Sequence, residues 1–373
     1  MSQPGAFHFE LLKTDGLARR GRLHTAHGIV DTPQFMPVGT QATVKGLTPA
    51  QLREAGVCIL LGNTYHLTLR PGDALIAEMG GLHPFMGWDG PILTDSGGYQ
   101  VFSLAPMRKI TDHGVVFRSH IDGSQLDLTP EKAVAIQENL GSDIAMCLDE
   151  CPAHAATEES MREAVRRTLH WAERCRSAHR RGDQALFGIV QGGTSVTLRT
   201  ECAAELVKLD FSGYALGGFS VGETTEQMVQ ALGPAALALP VDKPRYLMGV
   251  GRPQDLLDAV AAGMDLFDCV LPTRNGRNAS AFTHAGPLRL RNARHRRDFA
   301  PLESDCPCYT CANFSRAYFH HLFLAGEMLG PTLLSLHNVA YYCRLMAETR
   351  RAIEAGRFAD FHAVCLARWG VSL

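Results

Sequence analysis

Eight short apolar runs recur between Gln34 and Val270, most ending in Gly, Asp, Asn or Gln and most followed by an amphipathic helical stretch. This alternation restricts the available folds more than any other property of the chain. Apolar runs of four to eight residues suit strands buried on both faces, and strands alternating with helices point to a parallel α/β architecture. The expected strands are Gln34–Val38, Cys58–Asn63, Pro91–Thr94, Asp143–Leu148, Leu186–Gln191, Tyr214–Gly217, Tyr246–Val250 and Asp265–Val270. Eight parallel strands with intervening helices make a (β/α)8 TIM barrel. The expected helices are Pro49–Ala55, Pro130–Leu140, Glu158–Arg180, Ser195–Leu209, Thr225–Leu232 and Pro253–Ala262. Thr48 before Pro49 and Thr129 before Pro130-Glu131 read as N-caps, with proline at the first helical position. The stretch Leu104–Leu128 breaks the rhythm, and the Ile121-Asp122-Gly123-Ser124 turn signal predicts an inserted hairpin after the third strand.

After Val270 the alternation ends, so the catalytic barrel with its N-terminal extension is expected over residues 1–275. A zinc-binding subdomain with C-terminal helices packing on the barrel is expected over 276–373. The second assignment rests on Cys306-Pro-Cys308-Tyr-Thr-Cys311 with His337 downstream, ahead of or within predicted helical segments, one of which is Asn313–Met328. Three thiolates and one imidazole make a closed tetrahedral set for a structural Zn2+, one per subunit, whereas a catalytic zinc keeps a position open for water. Cys343, His320 and His321 compete with His337 for the fourth position, and three reduced surface thiols are the bland alternative.

The 46% apolar composition fits a folded globular protein, and no apolar run is long enough to span a bilayer. The start MSQPGAFHFELLKTDG lacks the basic and apolar regions of a signal peptide, and eleven scattered cysteines fit a reducing, cytoplasmic compartment with no membrane partner. A net charge of −2 would argue against nucleic acid, yet whole-chain charge hides local fields. Arg289, Arg291, Arg294, Arg296 and Arg297 form one run without interspersed acids, with Arg274 and Arg277 upstream. Such a run is either a solvated face or a phosphate-binding surface, since arginine makes planar bidentate phosphate contacts.

In a barrel of this kind the active site forms at the carboxyl ends of the strands. Those ends carry Thr94-Asp95-Ser96-Gly97-Gly98-Tyr99-Gln100, Leu148-Asp149-Glu150-Cys151, Val190-Gln191-Gly192-Gly193, Leu216-Gly217-Gly218-Phe219 and Leu266-Phe267-Asp268-Cys269-Val270. Any single Asp there can be a helix cap or loop anchor. Asp95, Asp149 and Asp268 on three separate strand ends can instead supply a carboxylate pair for chemistry at an anomeric carbon plus one recognition contact. Glycine pairs let backbone amides approach a flat ligand, and Asp and Gln match the donor and acceptor edge of a purine.

These segments together resemble the tRNA-guanine transglycosylases, which exchange the wobble guanine of certain tRNAs for a 7-deazaguanine. The resemblance covers nearly the whole chain through Asp95-Ser-Gly-Gly-Tyr99-Gln-Val-Phe, Leu148-Asp-Glu-Cys151, Gly188-Ile-Val-Gln-Gly-Gly193, Leu216-Gly-Gly-Phe-Ser-Val-Gly-Glu223, Leu247-Met-Gly-Val-Gly251, Phe267-Asp-Cys-Val-Leu-Pro-Thr-Arg-Asn-Gly276 and the zinc set. It implies that Asp268 is the nucleophile and Asp95 the general acid/base. It further implies a base pocket of Asp95, Ser96, Gly97, Gly98, Tyr99, Asp149, Gln191, Gly218 and Met248, with Tyr99 and Met248 sandwiching the ring. An RNA-binding surface is implied at Gly249, Val250, Gly251, Arg252, Pro253, Gln254, Asp255, Thr273, Arg274, Asn275, Gly276, Arg277, Arg289, Arg294 and Arg297. The implied partners are tRNAs with GUN anticodons (those for aspartate, asparagine, histidine and tyrosine), guanine and a 7-deazaguanine base, and a second copy of the chain in a homodimer.

Cys151 and Val221 match the bacterial pattern around the base pocket, and the chain stops soon after its zinc module, where the archaeal enzymes add RNA-binding domains. Both point to 7-aminomethyl-7-deazaguanine as the incoming base, a step of queuosine biosynthesis. One departure is Asn278-Ala279 after Arg277, where the family pattern has Asn-Gly. Two other readings stand beside this one. A metal-dependent barrel hydrolase predicts metal ligands at the strand ends, and a non-catalytic zinc-containing RNA-binding protein leaves the three aspartates without a task.

Overall fold

The computed structural model describes residues 7–100 and 108–370. Val101 and Phe102 of the motif beginning at Asp95, the start of the expected hairpin stretch at Leu104, and Met1–Ala6 of the N-terminal segment lie outside the described residues. The chain opens with an antiparallel sheet of β1 (His8–Asp15), β2 (Ala18–Thr25) and β3 (Gly28–Thr32) that has no counterpart in the sequence expectation. The barrel begins with β4 (Gln34–Gly39), β5 (Leu60–Gly62) and β6 (Ile92–Thr94). An insertion follows, β7 (Arg108–Ile110), β8 (Val115–Arg118) and β9 (Gln125–Leu128), before β10 (Ile144–Met146), β11 (Ala185–Val190), β12 (Gly213–Leu216), β13 (Arg245–Leu247) and β14 (Leu266–Cys269) complete the ring. Every expected barrel strand is present, all are parallel, and β14 pairs with β4 to close the barrel.

Strand periodicity sorts the side chains into two cores. Met36, Val38, Leu61, Leu93, Ile144, Met146, Phe187, Ile189, Ala215, Tyr246 and Leu266 fill the barrel, and Leu23 and Val30 of the N-terminal sheet belong to the same cluster. The alternate positions, among them Phe35, Leu60, Ile92, Leu186, Leu216, Leu247 and Phe267, face the surrounding helices. Each strand position therefore has a fixed side, and a polar residue at an inward position near the carboxyl end must face the barrel mouth.

The insertion is a three-stranded antiparallel sheet rather than a single hairpin, because Arg108–Ile110 adds a third strand alongside β8. The helices Pro49–Glu54, Pro130–Leu140, Glu158–Ala178, Val196–Lys208, Thr225–Leu237 and Pro253–Ala261 match the expected set, and Thr48 and Thr129 cap theirs by accepting from Gln51 N and Lys132 N. The expected helix Asn313–Met328 is present over Arg316–Ala325, and a short helix, Tyr309–Asn313, precedes it within the cysteine cluster. Phe314 is extended between them, and Ser315 caps the second by accepting from Tyr318 N. The helix Leu329–Glu354 then runs against β4 and against the short helix Leu271–Arg277. Gly276 permits that approach, since a Cβ there would stand 2.6 Å from Ser335 Oγ. Leu336, Val339, Tyr342 and Met346 of this helix belong to the core that surrounds the barrel. Among the described residues no helix is long and apolar enough to cross a membrane.

Candidate active site

A cavity of about 660 Å³ opens at the carboxyl ends of the barrel strands. It receives Thr40 after β4, Asn63 after β5, Asp95 after β6, Asp149 after β10, Gln191 after β11, Gly217 and Gly218 after β12, Met248 after β13 and Asp268 near the end of β14. Period two explains three of these placements. Leu93, Ile189 and Leu266 face the barrel interior, so Asp95, Gln191 and Asp268, two residues further on, share that side.

Each carboxylate is held by a different donor set. Asn63 Nδ2 and Gln100 Nε2 donate to Asp95 Oδ2 at 2.6 and 2.7 Å, and Thr64 N donates to Oδ1 at 2.8 Å. Asp268 accepts from Tyr246 OH at 2.5 Å and from Gly249 N at 2.8 Å, both at Oδ1. Asp149 accepts from Ser96 Oγ at 3.1 Å and from Gln191 Nε2 at 2.7 Å. Burial raises the pKa of all three, and the hydrogen bonds oppose it. Asp149 and Asp268 both reach about 6, with the charge of Asp95 adding to the effect of burial in each. Three acids in one poorly solvated pocket titrate as a coupled set, and carboxyls displaced toward neutrality are suited to passing protons.

The remaining wall combines glycine backbone with a buried amide oxygen. Gln191 Oε1 is buried with no hydrogen-bond partner among the described residues. Gly218 has φ +71, and a Cβ there would run into Gln191 Oε1, so only glycine brings this backbone to the wall. Tyr99 is half exposed and Met248 partly buried, and both line the cavity along with Ser96, Cys151 and Val221. Gly97 and Gly98 are buried, with Gly98 N donating to Ser96 Oγ at 3.2 Å.

The residues expected to meet RNA divide into two environments. Gly249, Gly251, Arg252, Asp255 and Arg274 line the cavity mouth, with Arg252 Nε bound to Asp255 Oδ2 at 2.9 Å. Val250, Pro253, Thr273 and Gly276 are buried, while Gln254, Asn275 and Arg277 are partly exposed. Arg289 on the strand Leu288–Arg289, and Arg294 and Arg297 in the 3-10 turn Ala293–Arg297, are exposed together with Arg291 and Arg296. Ala279, where the resemblance leads to the expectation of glycine, has φ +60, a conformation that favours glycine.

Cys306, Cys308, Cys311 and His337 converge into a set that can hold a metal ion. His337 Nδ1 stands 3.9, 3.6 and 3.3 Å from the three sulfurs, against about 3.6 Å for the edge of a tetrahedron with zinc bond lengths. His337 Nε2–H donates to Phe282 O at 2.8 Å, which leaves the Nδ1 lone pair for the ion. His320 is engaged elsewhere, its Nδ1 at 2.9 Å from Leu290 O. A second trio, His27, His83 and Asp143, sits at the amino-terminal end of β10. Its imidazoles are stacked at 3.5 Å and nearly parallel, so their in-plane lone pairs do not converge on one point, and Asp143 is occupied by His27 and by Ile92 N.

Sequence reasoning passed over Asn63, Tyr246 and Arg199. Asn63 ended an expected strand, which was the available signal. Tyr246 opened the expected strand Tyr246–Val250 and carried no further signal. Arg199, in the first turn of Val196–Lys208, is fully buried behind the glycine wall.

The model of the family described as queuine tRNA-ribosyltransferase matches residues 14–370. A queuine tRNA-ribosyltransferase of Thiobacillus denitrificans is 57% identical over 355 residues, covering 95% of this chain and 97% of the relative. One of Solidesulfovibrio magneticus is 55% identical over 365 residues, covering 97% of each, and one of Pelotomaculum thermopropionicum is 57% identical over 344 residues, covering 92% of this chain and 93% of the relative. An eight-stranded parallel barrel, three acids at its mouth and a Cys3His set are thus carried by a chain that belongs to the queuine tRNA-ribosyltransferase family of tRNA-guanine transglycosylases.

Proposed function

We propose that this protein exchanges the wobble guanine of tRNAs with GUN anticodons for 7-aminomethyl-7-deazaguanine, by double displacement through a covalent bond between Asp268 and the ribose. The observation that carries this reading is the asymmetry of the Asp268 carboxylate. Both of its hydrogen bonds fall on Oδ1, so Oδ2 is the oxygen available to attack. In the first displacement Oδ2 bonds to the ribose C1′, the C1′–N9 bond breaks with its electron pair going to the purine, and Asp95 supplies a proton to the departing guanine. In the second, the incoming base gives its ring N–H proton to Asp95, its nitrogen bonds to C1′, and Asp268 leaves as carboxylate. The product keeps the starting configuration, as in a retaining glycosidase with a base in place of water.

The pKa of Asp95, raised by burial, supports its part, since an acid displaced upward holds a proton more readily while still able to give it up, and three donors fix its orientation. Asp149, Gln191 and the Gly218 amide hold the purine edge, with Tyr99 and Met248 against its faces and Ser96, Gly97 and Gly98 shaping the floor. Cys151 and Val221 in the wall favour the aminomethyl base. The target nucleotide must leave its stack to bring C1′ to the recessed acids, while Arg289, Arg294 and Arg297 engage phosphates together with the 249–255 and 273–277 segments.

The Cys3His set is read as a structural zinc that ties the 276–373 segment together. All four of its positions are protein ligands, and none of these residues is among those lining the cavity. The exposed Tyr309, Tyr318, Leu324, Met328 and Leu329 support a homodimer contact next to that site. Incubation with unmodified tRNA and labelled guanine tests the reaction. Label entering tRNA together with a denaturation-resistant protein–tRNA adduct lost in Asp268→Asn is the expected result. Release of guanine by hydrolysis without incorporation would instead favour a barrel hydrolase.

A further inference from the structure

Arg199 is fully buried behind the base pocket, and its contacts are unusual for an arginine. Its side chain has no exposure, yet among the described residues no carboxylate forms an ion pair with it. Its guanidinium donates instead to backbone carbonyls, from Nε to Gly193 O at 2.6 Å and from Nη2 to Gly217 O at 2.8 Å, with longer contacts to Val190 O and Gly218 O at 3.4 and 3.5 Å. Its face lies on the Phe219 ring, 3.6 Å from the centroid. Its stem passes so close to Gly192 that a Cβ there would stand 2.9 Å from Arg199 Cγ. A buried charge without a counter-charge is expensive, and a hydrophobic residue would fill the volume at less cost. Its contacts identify what it holds. The two short contacts are to carbonyls in the loops after β11 and β12, which carry Gln191 and Gly218.

The peptide between Gly217 and Gly218 is planar and trans, so the Gly218 N–H points opposite to the Gly217 carbonyl. With that carbonyl fixed on Arg199, the N–H is directed away from the arginine, toward the cavity that Gly218 lines. The neighbouring contact at Gly193 O holds the turn that follows Gln191. Arg199 touches neither the cavity nor the acids, so it acts through these two groups.

We infer that Arg199 is a positioning residue for base selection: by gripping the Gly217 carbonyl it presets the Gly218 amide as a donor for the 6-oxo group of a guanine-type base. The inference rests on the base-exchange reading above, and deepens its account of specificity. It predicts a loss confined to recognition of one atom of the base. A lysine at this position keeps a charge but cannot bridge carbonyls on two loops with a planar fork.

The test uses the full chain with Arg199→Lys and Phe219→Leu, the second loosening the guanidinium while retaining it. Three quantities are measured: inhibition constants for guanine and for 2-aminopurine, which lacks the 6-oxo group, the dissociation constant for tRNA, and thermal unfolding. Arg199→Lys is expected to weaken guanine binding about fivefold to tenfold, the loss of one oriented hydrogen bond. Binding of 2-aminopurine and of tRNA should stay within about twofold, so that selectivity falls toward unity. A lower unfolding temperature with unchanged guanine to 2-aminopurine selectivity would overturn the inference and leave Arg199 a purely structural clamp. Should Arg199→Lys not fold, Phe219→Leu decides, with a smaller loss of selectivity expected and no loss overturning the proposal. The parent protein alone tests the underlying reading, because equal binding of guanine and 2-aminopurine by it would refute the base-edge assignment whatever Arg199 does.

Discussion

Replacing Asp268 by Asn separates what the site does from what it does to the fold. The Asp268 carboxyl is buried, and its pKa stands at about 6 against an ordinary 3.8, through burial first and then the charge of Asp95, with Tyr246 and Gly249 pulling the other way. At about 1.4 kcal/mol for each tenfold change in acidity, holding this group ionised at neutral pH costs the native state roughly 3 kcal/mol. The sign follows from the raised value. Between about pH 4 and 6 the native state binds more protons than the unfolded chain, so this stability is present in acid and lost as pH rises through about 6. Asparagine has the same shape, carries no charge, and its Oδ1 can still accept from Tyr246 and Gly249. Asp268→Asn is therefore expected to be more stable than the parent by about 2 to 3 kcal/mol at pH 7 and above, to converge with it below about pH 4, and to have no exchange activity. The parent's own exchange rate should fall as pH drops through about 6, as Asp268, the proposed nucleophile, takes up a proton. Urea unfolding across that pH range, followed by tryptophan fluorescence, reads the stability. A variant no more stable than the parent at pH 8 would show that the carboxylate is not paying a desolvation penalty, and exchange persisting in the variant would remove Asp268 as nucleophile.

The other expectations concern recognition, metal and backbone. Asp149→Ala should weaken guanine by about 1 to 3 kcal/mol while tRNA affinity holds, because Gln191 and the bound base lose their acceptor; equal losses for both ligands would refute a role at the base edge. Neutralising Arg289, Arg294 or Arg297 should raise KM for tRNA and flatten the log-log salt dependence of binding by roughly 0.7 to 0.9 per lost phosphate contact, whereas unchanged slopes would mark the run as a solvated face. Cys308→Ala or Cys311→Ala should lower zinc content, measured by elemental analysis, and destabilise the C-terminal segment, since a structural zinc contributes folding free energy; full metal occupancy would point to other ligands. Ala279→Gly should raise stability by about 1 kcal/mol in chemical denaturation, because the native φ of +60 is one that alanine adopts only under strain.

The barrel was legible in the sequence because its strands are short, apolar and buried on both faces, and because helices of ordinary amphipathic pattern separate them. The N-terminal sheet was not. β1, His8–Asp15, buries no residue fully, and its sequence HFELLKTD carries charge where a core strand would carry an apolar run. It pairs with β2 through backbone hydrogen bonds in a register that composition does not reveal. The bounds of the helix expected over Asn313–Met328 were too wide for the opposite reason, since the signals were there in Ser315 as a cap and Gly326 as a stop.

At the site, legibility follows how local the cause is. Asp95 and Asp268 could be placed from the end of their own strands, because the period of two carries a side chain's direction along one strand. The groups that set their chemistry come from neighbours. Tyr246 reaches Asp268 from β13, where it stands opposite Leu266 in register, and Asn63 and Thr64 reach Asp95 from the end of β5. Strand order around the barrel supplies those partners, and sequence spacing does not contain it. Arg199 is the extreme case. Arginine in the first turn of an amphipathic helix is expected in solvent, yet here it is wholly interior and bound to carbonyls of two adjacent loops. The buried acids on one side of the glycine wall and the buried cation on the other both violate the rule that charge stays outside, and both raise the free energy of the folded chain. Stability alone would remove each of them. Their presence on either side of the same wall is the observation on which the proposed reaction site rests, and the inferred role of Arg199 would place a determinant of specificity one layer deeper than the residues that line the cavity.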